Sequence, residues 1–280
     1  GFEHVLVFAA AGSGKTRSLG MPNLFQYPNS VVCNDVKLSL FQTTSGYREK
    51  VLGHRCFCFA PAMTTTHRYN PLSFISADKL ARMTDIQRIA HILLPDNKKD
   101  LPFWTQTARS LFKCLVLYLL DTEGATVTLG EINRLVKQAS FDEWLYKRLL
   151  TTEHYDDEFY RNGFAYIGNH DKTRSNIKVS FSSHFELFDD PVVDAATSAS
   201  DFDIRALRRE KITLYIGFSD DDLERLSPLL TLLWQQLISV MIQRLPDLRP
   251  EFLLRVYRLW VRLMVLIVIM RVCPREPRLD

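Results

Sequence analysis

The chain has no Cys-x-x-Cys pair. Its five cysteines (Cys33, Cys56, Cys58, Cys114 and Cys273) are odd in number and carry no metal-ligand spacing. That argues against a disulfide framework or a zinc knuckle. It suits a reducing compartment in which the thiols serve as small buried hydrophobes. Strong net charge is also missing: +3 over 280 residues gives no global basic footprint of the kind that announces nucleic acid. No internal repeat and no low-complexity tract occurs. The most apolar helical stretch, Phe103 to Leu120, holds no run of eighteen uncharged apolar residues, so it is not a convincing membrane span. A signal peptide is missing as well. The chain starts at Gly1, without Met and immediately before an apolar run, so a fragment of a longer protein is expected.

What is present begins at once. Residues 5 to 20 read VLVFAAAGSGKTRSLG. Val5 to Phe8 is a short apolar strand, Ala9 to Gly14 a run of small residues, and from Lys15 the chain can enter a helix. Strand, small-residue loop and helix is the order a phosphate-cradling loop needs. Against the pattern G-x-x-x-x-G-K-[ST], Gly14, Lys15 and Thr16 fit, while Ala9 stands where the first glycine belongs. Gly12 and Gly14 allow the backbone to curl its N–H groups onto a phosphate, and the helix terminus adds partial positive charge. The candidate nucleotide-binding residues are therefore Ala11, Gly12, Ser13, Gly14, Lys15, Thr16 and Arg17, with Lys15 on the outer phosphates and the Thr16 hydroxyl on Mg²⁺. The competing reading is an ordinary strand-turn-helix corner.

The rest of the chain divides by pattern. Val31-Val32-Cys33 and Cys56-Phe57-Cys58-Phe59 read as further strands, and their helix-sized separation predicts a parallel sheet in an α/β fold. Asp35 and Lys37 follow the first of these strands, at the sheet end where ligands bind. A solvated turn explains them equally well. Residues 76 to 180 read as mostly helical. Ile86, Ile89, Ala90, Leu93 and Leu94 follow helical spacing, and Phe103 to Leu120 is apolar nearly all round. Thr128 with Glu131, and Ser140 with Glu143, form capping boxes. From Val179 the strand pattern returns, with Ile212 to Gly217 a strand and Ser219 the expected cap of a helix through Leu223, Leu226, Leu230 and Met241. The expected domains are 1–75 and 181–250, together a nucleotide-binding domain; 76–180, an inserted all-α domain; and 251–280, an aberrant tail.

The tail raises a second absence. A P-loop ATPase needs a strand ending in a carboxylate for Mg²⁺ and water. After Glu251 no acid follows until Glu276, while Arg255, Arg258 and Arg262 interrupt the apolar run. Four readings stand open: a basic amphipathic helix at a membrane surface, a membrane span, a strand of a degenerate ATPase, or a frameshifted tail. The abrupt loss of pattern favours the last.

The motifs together resemble a family. FAAAGSGKTRSLGMPNL, SVVCNDVK, TSGYR, HRYNPLSFI, DIQRIAHILLP, FWTQTARSLF, YDDEFYRNGF, KTRSNI, AATSASDFDI and LYIGFSDDDLERLSPLLTLLWQQL occur in this order. They look like the type IV secretion coupling proteins, the TraG/TraD-like ATPases of conjugative DNA transfer, over about residues 4 to 246. The resemblance accounts for Ala9, since the family often has alanine there. It implies a RecA-like P-loop nucleotide-binding domain with an inserted all-α domain, ATP and Mg²⁺ as cofactors, and a homo-hexamer. It also implies an N-terminal segment, not present here, that anchors the protein at the cytoplasmic face of the bacterial inner membrane; this fragment alone would be soluble or cytoplasmic. The implied partners are a relaxase-DNA complex or secreted protein substrates, and the proteins of the secretion channel. By resemblance Gly14, Lys15 and Thr16 hold phosphate and Mg²⁺, Asp35 and Lys37 match an Asp-x-Lys after the second strand, and Gln235 and Gln236 match a glutamine pair with no catalytic role. The family's catalytic Asp-Glu pair, expected within residues 253 to 270, is absent, so no catalytic residue is assigned.

Two functions from different classes follow. One is an ATP-driven motor subunit of a conjugation or secretion apparatus. The other is a non-hydrolysing docking module or a pseudogene remnant. A small-molecule kinase leaves the helical insert unexplained. Basic and acidic residues nearly balance in that insert, so charge alone does not mark it for DNA. Trp104 and Trp144 have the helical spacing of core residues.

Overall fold

The structure is a computed structural model that describes residues 13–96, 102–153, 155–242 and 269–271. The strand expected over Val5–Phe8, the loop residues Ala9, Ala11 and Gly12, and nearly all of the tail lie outside these residues. The chain divides into two compact units. A sheet unit takes Gly1–Ala60, Asp203–Asp220 and Leu245–Asp280, and a helical unit takes Pro61–Phe202 and Asp221–Arg244.

In the sheet unit, three strands follow from three apolar runs: β1 (Val31–Asp35), β2 (Arg55–Phe59) and β3 (Ile212–Gly217). Every residue of β1 and β3 is buried, as parallel strands covered on both faces require. The order is β2-β3-β1-β4, where β4 is the short segment Ile269–Arg271. β3 runs parallel to both of its neighbours, and β4 pairs antiparallel with β1. Of the three parallel strands, the middle one, β3, thus comes last in sequence, and the helical segment is inserted between β2 and β3. A wide π-helical turn, Thr16–Gly20, continues into α1 (Met21–Gln26), and α2 (Ser39–Lys50) joins β1 to β2. Leu24, Val31, Cys33, Leu40, Cys56 and Tyr215 form the core between helices and sheet. The thiols there are uncharged: burial pushes Cys56 up to about 11 and Cys58 up to about 12.

One polar group organises this core. Pro28 stops α1, and Tyr27 before it is extended, as a residue preceding proline must be. Proline has no N–H, so the Leu24 carbonyl four residues back loses its helical donor. Arg48 of α2, which is 0% exposed, supplies the replacement. Its Nη1 donates to the Leu24 carbonyl and to that of Tyr27 (3.1 Å), its Nη2 to that of Asn29 (3.0 Å), and its Nε to Thr213 Oγ1 on β3 (2.6 Å). His54 Nε2 meets the Pro28 carbonyl at 3.0 Å and so carries its proton there, which leaves Nδ1 to accept from Thr213 Oγ1 at 3.0 Å. Burial, and after it the Arg48 charge, lowers the His54 pKa, although the Pro28 carbonyl works the other way.

The helical unit contains α3 (Lys79–Leu93), α4 (Pro102–Asp121), α5 (Leu129–Lys137), α6 (Phe141–Thr151), α7 (Asp157–Ile167), α8 (Asp171–Phe185), α9 (Pro191–Ala196) and α10 (Leu223–Ile242). α4 is the axis. It is buried from Leu111 to Leu119 except at Lys113, and it packs against α3, α5, α7 and α8. Thr128 caps α5 as its spacing predicts, accepting from the Glu131 N–H at 3.2 Å. Three expectations fail locally. Ser140 precedes α6 but makes no side-chain cap bond, because its backbone is not in the extended form that aims a cap. Ser219 does not cap α10, which starts from the Asp222 carbonyl. Val179 does not begin a return to strand, because α8 continues to Phe185. The units divide at 60–61, 202–203, 220–221 and 244–245, where the sequence pattern suggests 75, 180 and 250. Tyr69 shows why. It is fully buried between Phe74 and Phe202 and bonds Gln236 of α10, so these segments pack with the helices.

Arg82 on α3 ties this unit together. It pairs with Asp121 at the end of α4 (2.8 Å) and with Asp156, the cap of α7 (2.7 Å). Burial pushes the Asp156 carboxyl up, but the Glu158 N–H and the Arg82 guanidinium together hold it below its usual value. Arg82→Met leaves two largely buried carboxylates facing each other, and should cost about 3–5 kcal/mol in urea unfolding at neutral pH. A carboxyl depressed in the fold stabilises above its ordinary pKa and loses that contribution as pH falls through the lower folded value. The gap between wild type and variant should therefore narrow below about pH 4. A variant as stable as wild type at pH 7 would remove Arg82 from this role.

Candidate functional site

The loop that the sequence singles out stands at the amino end of the helix running from Lys15 to Gln26. Gly14 has φ +85°, and among the described residues no atom lies within 4 Å of the point where a Cβ would sit. Lys15 is already helical, and both the N–H and the Oγ of Ser18 donate to the Gly14 carbonyl, at 2.8 and 2.9 Å. The first helical N–H groups have no acceptor within the helix, and they add to the dipole at its amino end. Lys15 and Thr16 are half-buried beside this end, while Ser13 and Arg17 are exposed. An open glycine, a helix amino end, an ammonium and a hydroxyl on consecutive residues fit an anionic phosphate chain with its cation. Ala11 and Gly12 fall outside the described residues.

Asp35 ends β1 in register with Gly217 at the end of β3. It is buried, and its Oδ2 accepts from the Phe41 N–H at 2.8 Å, at the start of α2. Burial raises its pKa, opposed by the N–H groups of Phe41, Leu40 and Ser39. Asp35 thus anchors the amino end of α2. Leu38 in this turn adopts φ +54°, the one positive φ at a non-glycine among the described residues. A Cβ on Gly217 would come within 2.4 Å of the Leu38 side chain and 3.0 Å of Ala60 Cβ, so a larger residue there would displace Leu38. Lys37 is exposed in the turn. The Oδ1 of the neighbouring Asn34 is buried and has no partner among the described residues.

The other candidates lie in the helical unit. Gln236 accepts from Tyr69 and donates to the Pro71 carbonyl at 3.0 Å. Gln235 and Trp104 are half-buried, and so is Trp144, which lies edge-on to Tyr118 and stacks on Phe141. No cluster of three metal-ligating residues, and no helix long and apolar enough to cross a membrane, occurs among the described residues. Arg48 was passed over in the sequence, although the signal was there: proline four residues after a helical leucine orphans a carbonyl, and an arginine inside TSGYR answers it.

A family described as Type IV secretory system Conjugative DNA transfer matches residues 1–256. The chain is 35% identical over 256 residues to Protein VirD4 of Agrobacterium fabrum (strain C58 / ATCC 33970), covering 89% of this chain and 38% of that one. It is 28% identical over 257 residues to Conjugal transfer protein TraG of Escherichia coli, covering 88% and 40%. The chain therefore spans about two fifths of the length of these relatives. Among solved structures it is similar to the plasmid coupling protein TrwB in complex with the non-hydrolysable ATP analogue ADPNP, at 20% identity and TM-score 0.56, over 86% of this chain and 53% of that one. It is also similar to TrwB in complex with ADP and Mg²⁺, at 19% identity and TM-score 0.53, over 86% and 53%. That likeness establishes the α/β, RecA-like P-loop fold with its helical insert.

The Asp35 geometry makes a prediction. Asp35→Ala leaves buried N–H groups at the start of α2 unsatisfied and should lower stability by about 1–3 kcal/mol. Asp35→Asn keeps an acceptor there and should unfold within about 1 kcal/mol of wild type. If the Asn variant instead keeps full stability but loses the Mg²⁺ dependence of nucleotide binding, the carboxylate is a metal group rather than an anchor.

Proposed function

The chain belongs to the Type IV secretory system conjugative DNA transfer family, and on that premise we propose that it is the ATP-binding portion of a coupling-protein subunit. The observation that carries this reading is Gly14-Lys15-Thr16 at an open helix amino end, in an α/β unit whose central strand is parallel to its neighbours. The residues that would hold the nucleotide are Gly12, Ser13 and Gly14 through their backbone, Lys15 on the outer phosphates, and Thr16 on Mg²⁺, with Ala11 and Arg17 flanking them. The bound Mg²⁺ would screen the phosphate charge; the chain's own contribution is to orient the triphosphate and to neutralise it with Lys15. The sheet unit is then the nucleotide-binding domain, and the helical unit is the inserted all-α domain.

In the intact protein, we infer, ATP turnover drives relaxase-bound DNA or secreted proteins towards the channel. There the subunits assemble as a hexamer at the cytoplasmic face of the inner membrane, held by an N-terminal segment. The TrwB complexes with ADPNP and with ADP and Mg²⁺ support the cofactor assignment by fold. A second reading has its own observation: the acid expected within residues 253 to 270 is missing from the sequence, and the family match stops at residue 256. On that reading the chain binds nucleotide and docks a partner without turnover.

Lys15→Ala tests the assignment. Loss of a charged donor to phosphate should weaken binding of a fluorescent ATP analogue with Mg²⁺ by about 10- to 100-fold, without change in the circular dichroism spectrum. Equal affinity in the variant would refute the loop as the nucleotide site. Phosphate release then separates the two readings. Release that disappears in Lys15→Ala supports a motor. No release from wild type, together with relaxase-DNA capture that Lys15→Ala leaves unchanged, supports a module.

A further inference from the structure

We propose that Arg48 is a positioning residue for the nucleotide loop, fixing from the far end the helix that carries Lys15 and Thr16. The inference rests on the reading of Gly14–Thr16 as a nucleotide site. Three observations lead to it. First, among the described residues the helix is held to its unit by few side chains: Leu24 is buried, Met21 packs against the core and Phe25 lies edge-on to Tyr47. Neither the Thr16–Gly20 turn nor α1 has a side-chain cap, and in these two segments only Gly20 and Leu24 are buried. Second, the Thr16–Gly20 turn is π-helical, a conformation seen as an insertion within helices rather than as a stable length of its own. Third, the carboxyl end of the helix is fixed by one guanidinium that binds the Leu24, Tyr27 and Asn29 carbonyls.

That guanidinium is itself oriented from the sheet. Its Nε donates to Thr213 Oγ1 at 2.6 Å, and Thr213 lies on the central strand β3, four residues before Gly217. Its charge is balanced by carbonyl dipoles at a helix carboxyl end, where a cation is favoured. His54 adds a second link, from the Pro28 carbonyl just after α1 to the same Thr213 hydroxyl. Strand, arginine and helix therefore form one chain of short polar contacts, with Lys15 and Thr16 at its free end. A lysine keeps the charge but not the planar fork, and so cannot reach the three carbonyls and Thr213 together.

A matched set of variants tests this. Arg48→Lys alters the anchor and Thr213→Val removes its sheet contact. Thr44→Val serves as control: it deletes the buried Thr44–Tyr215 hydrogen bond (2.6 Å) in the same unit and leaves the hydrogen-bond partners of Arg48 in place. At a temperature where all are fully folded, fluorescent ATP with Mg²⁺ should bind about tenfold more weakly to Arg48→Lys and less weakly to Thr213→Val. It should bind normally to Thr44→Val despite its lower melting temperature. Without nucleotide, trypsin should cut after Lys15 and Arg17 faster in Arg48→Lys only. Unaltered affinity and cleavage in Arg48→Lys overturns the proposal. So does an equal loss of affinity in Thr44→Val, which would show general destabilisation. Wild type that fails to bind ATP refutes the nucleotide reading. The cleavage result then still decides whether Arg48 orders this helix.

Discussion

A fully buried arginine that pairs with carbonyl oxygens instead of a carboxylate holds the sheet unit together. Its origin is local. Pro28 ends α1 and removes the N–H that the Leu24 carbonyl would have used. A carbonyl buried without a donor costs about 1–3 kcal/mol, and Arg48 supplies that donor while also reaching the carbonyls of Tyr27 and Asn29 and the hydroxyl of Thr213. The backbone of α1, the segment after it, α2 and β3 therefore meet at one group. Around it Leu24, Val31, Cys33, Leu40 and Cys56 exclude water, and His54 stays neutral beside the guanidinium.

The helical unit solves a different problem with the same means. Its axis, α4, is apolar enough to bury itself, but the ends of its neighbours must be placed. Arg82 does this by pairing with Asp121 and Asp156, and Arg174 does it by pairing with Asp142 (2.9 Å) and with carbonyls at the end of α7. Several stretches that mark the family turn out to be joints of this kind. In HRYNPLSFI, Arg68 forms a forked pair with Asp201, Tyr69 is buried against Phe202, and Asn70 caps the turn that follows while donating to the Val127 carbonyl. The motif thus brings the two segments around residues 68 and 201 together within this unit.

Legibility in the sequence followed the strength of the local signal. The strands at 31–33, 56–59 and 212–217 were readable because continuous apolar runs bounded by turns leave few alternatives, and α4 because seven consecutive apolar positions, Cys114 to Leu120, demand burial. Thr128 was readable because an extended backbone aims its hydroxyl at the helix. Ser140 and Ser219 show the limit of that rule, since spacing alone does not fix the φ and ψ that a cap requires. The end of α8 and the unit boundaries were not readable, because they depend on aromatic contacts between residues far apart in sequence, such as Tyr69 with Phe202. At the candidate site, Gly14, Lys15 and Thr16 were legible as a motif. The anchoring role of Asp35 was not, because an acid after a strand looks the same whether it faces a metal or the N–H groups of the next helix.

The central claim is that a triphosphate sits on the amino end of the Lys15–Gln26 helix. Hydrogen exchange of the backbone amides, with and without Mg²⁺ and ATP, tests it most directly. The account predicts slowed exchange concentrated at residues 13–20, with a lesser effect at the ends of β1 and β3. Protection confined to the helical unit, or no change anywhere at saturating nucleotide, would contradict it.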